Sequence, residues 1–157
     1  MVRAISNGNN ESTSGVSADF TPVAATKMLP LLRMIVADLQ SLSRTIELQR
    51  ERLKEIDRLP QTIDQPDYRE ELSDIRGSLQ EEEQKLDACL RELASLGVEV
   101  HLPFDGSIDF PAVINRRAVR LCWLPSDERV EYWHEIGQSS DQRQKIEANL
   151  FGGESVN

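Results

Sequence analysis

Histidine, cysteine, tryptophan and tyrosine occur only twice each in this 157-residue sequence, and aromatics make up 5% of it. Chemistry that needs many such side chains is therefore excluded from most of its length. No apolar run approaches the roughly 20 residues that span a bilayer. The start, MVRAISNGNNESTSGVSA, lacks the apolar middle of a signal peptide. Cys89 and Cys122 form no spaced framework, which predicts free thiols in a reducing cytoplasm. There is no HExxH, no CxxC and no glycine-rich loop ending in Gly-Lys-Ser/Thr, so no motif announces a metalloprotease, a zinc ribbon or a nucleotide site. Basic charge is also short: 18 Lys and Arg against 27 Asp and Glu leave a net charge of −9. Such a field disfavours nucleic acid and an anionic membrane surface.

What is present is periodicity. Thr21 can cap a helix that Pro22 opens. Pro30 removes a backbone donor inside the following pattern and predicts a kink or break there. Beyond it, Met28, Leu32, Ile35, Leu39, Leu42, Ile46, Gln49, Leu53 and Ile56 alternate spacings of four and three. Leu72, Ile75, Leu79, Glu82, Leu86, Cys89, Leu93 and Leu96 do the same. Both are heptad seams of helices that pack lengthwise. Pro60 and Pro66 bracket a short connection, which favours antiparallel neighbours. The best register pairs Ile56 with Leu72, Gln49 with Leu79, Ile46 with Glu82 and Leu32 with Leu96. The polar seam residues Gln49 and Glu82 then fall in adjacent layers, where a shared hydrogen bond would fix the register. Residues 22–59 carry net +2 and residues 66–96 net −5, so the two helices attract.

Gly97 stops the second helix, and the period changes to two. Val98–Leu102 reads as a strand, Ile108-Asp109-Phe110 as a short strand before Pro111, and Arg117–Leu124 and Arg129–Ile136 as a hairpin around Pro125–Glu128. A four-residue turn pairs Val119 with His134, Leu121 with Tyr132 and Trp123 with Val130. Arg120 then opposes Trp133, and Cys122 opposes Glu131. Ser139 with Gln142 suggests a capping box opening a short helix over 139–151. The expected fold class is α+β: a long antiparallel helical (coiled-coil) hairpin followed by a small antiparallel β-meander. One domain spans 19–151, with helices at 22–59 and 66–96 and the meander at 98–136. A disordered tail at 1–18 and a tail at 152–157 flank it.

Several blocks resemble a known family. Phe20-Thr21, Ala25, Leu29-Pro30 and Leu32 are similar to its start. Leu96-Gly97-Val98-Glu99, Ile108-Asp109-Phe110-Pro111, Leu121-Cys122-Trp123 and Tyr132-Trp133-His134-Glu135 are similar to its later blocks. The family is bacterial domain-of-unknown-function 2203, and the resemblance covers roughly Phe20 to Ile146. It implies a cytoplasmic bacterial protein and no particular activity, cofactor or ligand. The family pattern continues with a glycine, an aromatic and a Gly-Arg pair. Here those positions are Ser139, Ser140, Gln142 and Arg143, of which only the arginine matches.

The ligand-type side chains His101, Asp109, Cys122, His134 and Glu135 make up a candidate metal set. Alternation under the expected register puts His134 and Glu135 on opposite faces and turns Cys122 away from His134. That reading expects no metal, no cofactor and no Cys–His nucleophile. It favours a non-catalytic interaction or structural module that self-associates or binds a protein partner through the hairpin. Leu31, Val36, Leu48 and Leu90 would form its second apolar face. The alternative is a small ligand- or metal-binding protein or enzyme. Its site would lie where the β-hairpin meets the helices, with Asp109, Arg120, Tyr132, His134 and Arg143 as candidates.

Overall fold

The computed structural model describes residues 19–59 and 65–151. The tail expected over 1–18, the tail after 151 and the centre of the interhelical connection lie outside the described residues. Thr21 Oγ1 accepts from the Ala24 N–H at 3.2 Å and opens α1 (Pro22–Lys27). The chain breaks at Met28, and Pro30 sits in the first turn of α2 (Leu29–Asp57), where its missing N–H leaves no helical acceptor unmatched. After the connection, α3 (Pro66–Ser95) returns antiparallel to α2.

Charge and packing join the helices as their compositions predict. Arg50 reaches Glu83 at 2.8 Å, and Arg52 pairs with Glu71. Leu32, Ile35, Leu39, Ile46, Leu72, Ile75 and Leu93 are buried along the seam. The polar layer differs from expectation. Gln49 Nε2 donates to Ser78 Oγ at 2.9 Å rather than meeting Glu82, and Glu82 turns to Lys85 at 3.6 Å. A hydroxyl on α3 lies within reach of the amide, while the Glu82 carboxylate finds a cation on its own helix. The expected second apolar face is also divided. Val36 is buried in the core and Leu90 packs beside it, whereas Leu31 and Leu48 are exposed.

Gly97, at φ +85°, turns the chain out of α3. The expected strand at Val98–Leu102 is reduced to one bridge, in which Glu99 and Asp109 exchange backbone hydrogen bonds at 2.9 Å. The sheet proper is antiparallel, with β1 (Ile108–Ile114), β2 (Arg117–Trp123), β3 (Tyr132–Glu135) and β4 (Gln144–Lys145) in that spatial order. β1 runs through Pro111, beyond the expected three-residue strand. Proline is tolerated because this is an edge strand and Pro111 points its missing donor away from β2. Its carbonyl accepts from Phe20 N–H at 2.8 Å. Asn115 and Arg116, at φ 51° and 66°, make the two-residue connection to β2. The expected helix at 139–151 is instead a 3₁₀ turn (Ser140–Gln142) followed by β4, although Gln142 Oε1 does accept from the Ser139 N–H.

Strand alternation gives the sheet two unlike faces. Ile108, Phe110, Ala112, Ile114, Val119, Leu121 and Trp123 pack on Leu29, Leu32, Val36, Leu39 and Leu93 to form the core. The sheet therefore covers the hairpin near Leu32 and Leu96, as expected. Asp109, Arg120, Cys122, Tyr132 and His134 project from the other face.

Candidate functional site

The β2–β3 register decides what that face contains. Arg120 opposes His134, Leu121 opposes Trp133, and Cys122 opposes Tyr132. This is one residue from the expected pairing, and a one-residue slip exchanges a strand's faces. The cause is the connection. Residues 124–131 do not close a tight turn. Trp123 Nε1 donates to Asp127 O at 3.0 Å, Arg33 donates to Pro125 O and Asp127 O at 3.1 and 2.8 Å, and Val130 N–H donates to Thr26 Oγ1 at 3.1 Å. Val130 is thus drawn into the core as part of a loop, and β3 starts two residues later. Arg120 lies across the sheet from Trp133, so the expected Arg–Trp contact is not formed. Cys122 and His134 share a face after all.

Three side chains converge there. Asp109 opposes Cys122 across β1–β2, and its carboxylate reaches diagonally over β2. Asp109 Oδ1 is 3.1 Å from His134 Nε2, and Oδ2 is 2.7 Å from His101 Nε2. Those two imidazoles are tilted rings with centroids 6.0 Å apart. One ligand atom from each of His101, Asp109 and His134 falls within 4.8 Å of the other two. Asp109 and His134 are 3% and 1% exposed, while the His101 side chain remains 36% accessible.

His134 is committed at one ring nitrogen. Its Nδ1 lies 2.8 Å from the Glu135 carbonyl oxygen. A carbonyl only accepts, so Nδ1 carries a hydrogen. Nε2 then faces a carboxylate oxygen, which also accepts when ionised. The contact is satisfied by a second proton on the ring or by a cation between the two atoms. Nδ1–H bound to a backbone carbonyl is also the arrangement that aims Nε2 of a metal-ligating histidine.

The remaining polar residues support this cluster. Arg120 forms two bonds to Glu99, at 2.7 and 3.3 Å, which pins the segment carrying His101. Arg143 binds Asp127 at 2.5 and 3.2 Å and lies 4.0 Å over the Tyr132 ring. Cys122 is fully buried, and its thiol is pushed up to about 12, first by burial and next by the Asp109 charge beside it. That value, rather than an opposite face, removes it as a nucleophile at neutral pH. Burial likewise raises the half-buried Cys89, with Asp38 and Glu92 adding to it.

Of the five candidates named from sequence, Asp109 and His134 meet directly, and Arg120, Tyr132 and Arg143 flank them. The site lies on the sheet face turned away from the helices, not where the hairpin meets them. Sequence reasoning left out His101 from that set. Its signal was available: Glu99 and His101 share parity, so a strand that pairs Glu99 with Asp109 puts His101 on Asp109's side. Sizeable cavities lie elsewhere among the described residues. One of about 200 Å³ is lined by Pro22, Val130, Ile146 and Phe151, and one of about 430 Å³ lies between Ile46, Leu86, Leu102 and Phe104.

A family model described as "Uncharacterized conserved protein (DUF2203)" matches residues 19–146, most of the chain. The chain belongs to the DUF2203 family. The matched span holds all three residues of this DUF2203 protein's cluster. No curated protein and no solved structure matches it. No helix among its described residues is long and apolar enough to cross a membrane.

Proposed function

We propose that this DUF2203 protein is a metal-binding protein that holds one first-row transition-metal dication through His101 Nε2, Asp109 and His134 Nε2. The observation that carries the reading is the convergence of His101, Asp109 and His134, with His134 Nε2, whose partner nitrogen is already committed to Glu135 O, pointing at the Asp109 carboxylate. Imidazole and carboxylate bonds to zinc are ~2.0–2.2 Å, which places neighbouring ligand atoms ~3.0–3.5 Å apart. His101 Nε2 lies 2.7 Å from Asp109 Oδ2, His134 Nε2 lies 3.1 Å from Oδ1, and the three ligand atoms fall within 4.8 Å of one another, so a metal would seat between the two imidazoles against the carboxylate after a modest opening. Two histidines and one carboxylate suit zinc or iron(II) better than calcium or magnesium. The free thiols of Cys89 and Cys122 are consistent with a reducing cytoplasm.

Elemental analysis of the full chain, purified without chelator, should find about one equivalent of metal. Titration of stripped protein with Zn²⁺ should saturate at the same ratio, and Asp109→Asn or His134→Ala should abolish binding. Protein that is metal-free and indifferent to added Zn²⁺ refutes the proposal.

A second reading concerns the hairpin as a docking arm for another copy of the chain. It rests on Leu48 and Leu59, exposed along the stretch of α2 and its exit that the sheet does not cover. Light scattering tests it: a dimer that Leu48→Glu converts to monomer supports the reading, and a strict monomer removes it.

A further inference from the structure

We infer that the centre formed by His101, Asp109 and His134 binds a small anion directly on its metal, from the side of His101. The inference rests on the metal reading above and adds a ligand class to it. His101, Asp109 and His134 each offer a ligand atom within 4.8 Å of the others, and among the described residues no fourth His, Cys, Asp or Glu joins that group. A first-row dication takes four or more ligands, and three protein ligands with an open position mark catalytic rather than structural sites. At least one position is therefore left for a donor from solution.

Burial gives that position a direction. Asp109 and His134 form the floor, at 3% and 1% exposure, with the sheet beneath them. Only the His101 side is accessible, at 36%. Charge gives it a sign: a dication with one carboxylate ligand keeps a net charge of +1. Of the further carboxylates near this face, Asp105, whose charge reaches Cys122, accepts from Ser107, and the other two are held by arginines. Glu99 is held by Arg120 at 2.7 Å and Asp127 by Arg143 at 2.5 Å. Size follows from burial, because two of the three ligating residues are almost wholly covered. A ligand enters past one imidazole, so it has the dimensions of a simple carboxylate or bicarbonate.

The test is a visible-absorption titration of the Co²⁺-loaded full chain with azide, followed by competition with acetate. The expected result is a saturable shift of the cobalt bands with azide that acetate reverses. Cobalt bands that ignore azide overturn the inference and leave the metal reading standing. So does a thiolate-to-cobalt charge-transfer band that Cys122→Ser removes, because the protein then fills the position itself. Failure to bind Co²⁺ at all overturns both.

Discussion

Asp127 illustrates how one side chain can set a loop. Its Oδ2 accepts from the Leu124 N–H at 2.9 Å and from Arg143, while its carbonyl receives Trp123 and Arg33. Asp127→Ala strands a largely buried guanidinium and an N–H, and should cost about 2–4 kcal/mol. The check is the shift of the urea midpoint at unchanged slope. Cys122 gives a second expectation. In metal-free protein it should resist alkylation at pH 8 until the chain is unfolded, while Cys89 reacts first. Its folded value of about 12 lies above the ordinary 9.0. The stability this contributes is complete below pH 9 and is lost as pH rises toward 12. Cys122→Ala should flatten the decline in stability measured by denaturant across that window.

Elements were legible where a period ran long. The seams from Leu32 to Ile46 and from Leu72 to Leu93 fixed both helices, because each repeated contact restates the same face. Short strands offer too few repeats, so the β2–β3 pairing depended on an assumed turn length. Thr26 and Arg33, 104 and 94 residues upstream of their partners, set the real one. Val98–Leu102 alternated like a strand, yet only Glu99 found a partner. The candidate site suffered from the same slip: the expected register turned Cys122 away from His134, and His101 stayed outside the set that held Asp109 and His134. The β1–β2 connection invites a direct experiment. Arg116 holds a positive φ of 66° in an exposed turn, where glycine is relaxed. Arg116→Gly should raise stability by about 0.5–1 kcal/mol, read from the thermal midpoint. In the helical pair, Gln49 Oε1 is buried without a partner. Gln49→Leu should be neutral or stabilising by up to about 1 kcal/mol by denaturant titration, although it breaks the bond to Ser78.

At the scale of the molecule, one apolar layer separates two unlike regions: a helical arm of about 45 Å on one side and a small polar surface on the other. Occupancy of that surface should be visible in global stability. Metal at a hundred times its dissociation constant adds ~2.7 kcal/mol to a folded state that alone binds it. For a chain of this size that is about 5–10 °C in the melting temperature. Differential scanning calorimetry of stripped and Zn²⁺-loaded protein measures it, and Asp109→Asn should abolish the difference.

The bridge between Glu99 and Asp109 ties the backbone to this chemistry. Asp109 holds the segment carrying His101 twice, once through its main chain and once through its carboxylate. Local opening of the segment must break both grips together. A cation joining His101 to Asp109 replaces the second grip with a stronger one, so the amide hydrogens of Glu99 and Asp109 should exchange with deuterium more slowly when the centre is filled, while those in the middle of α2 keep their rate. Two backbone protons thus become a clock for the site.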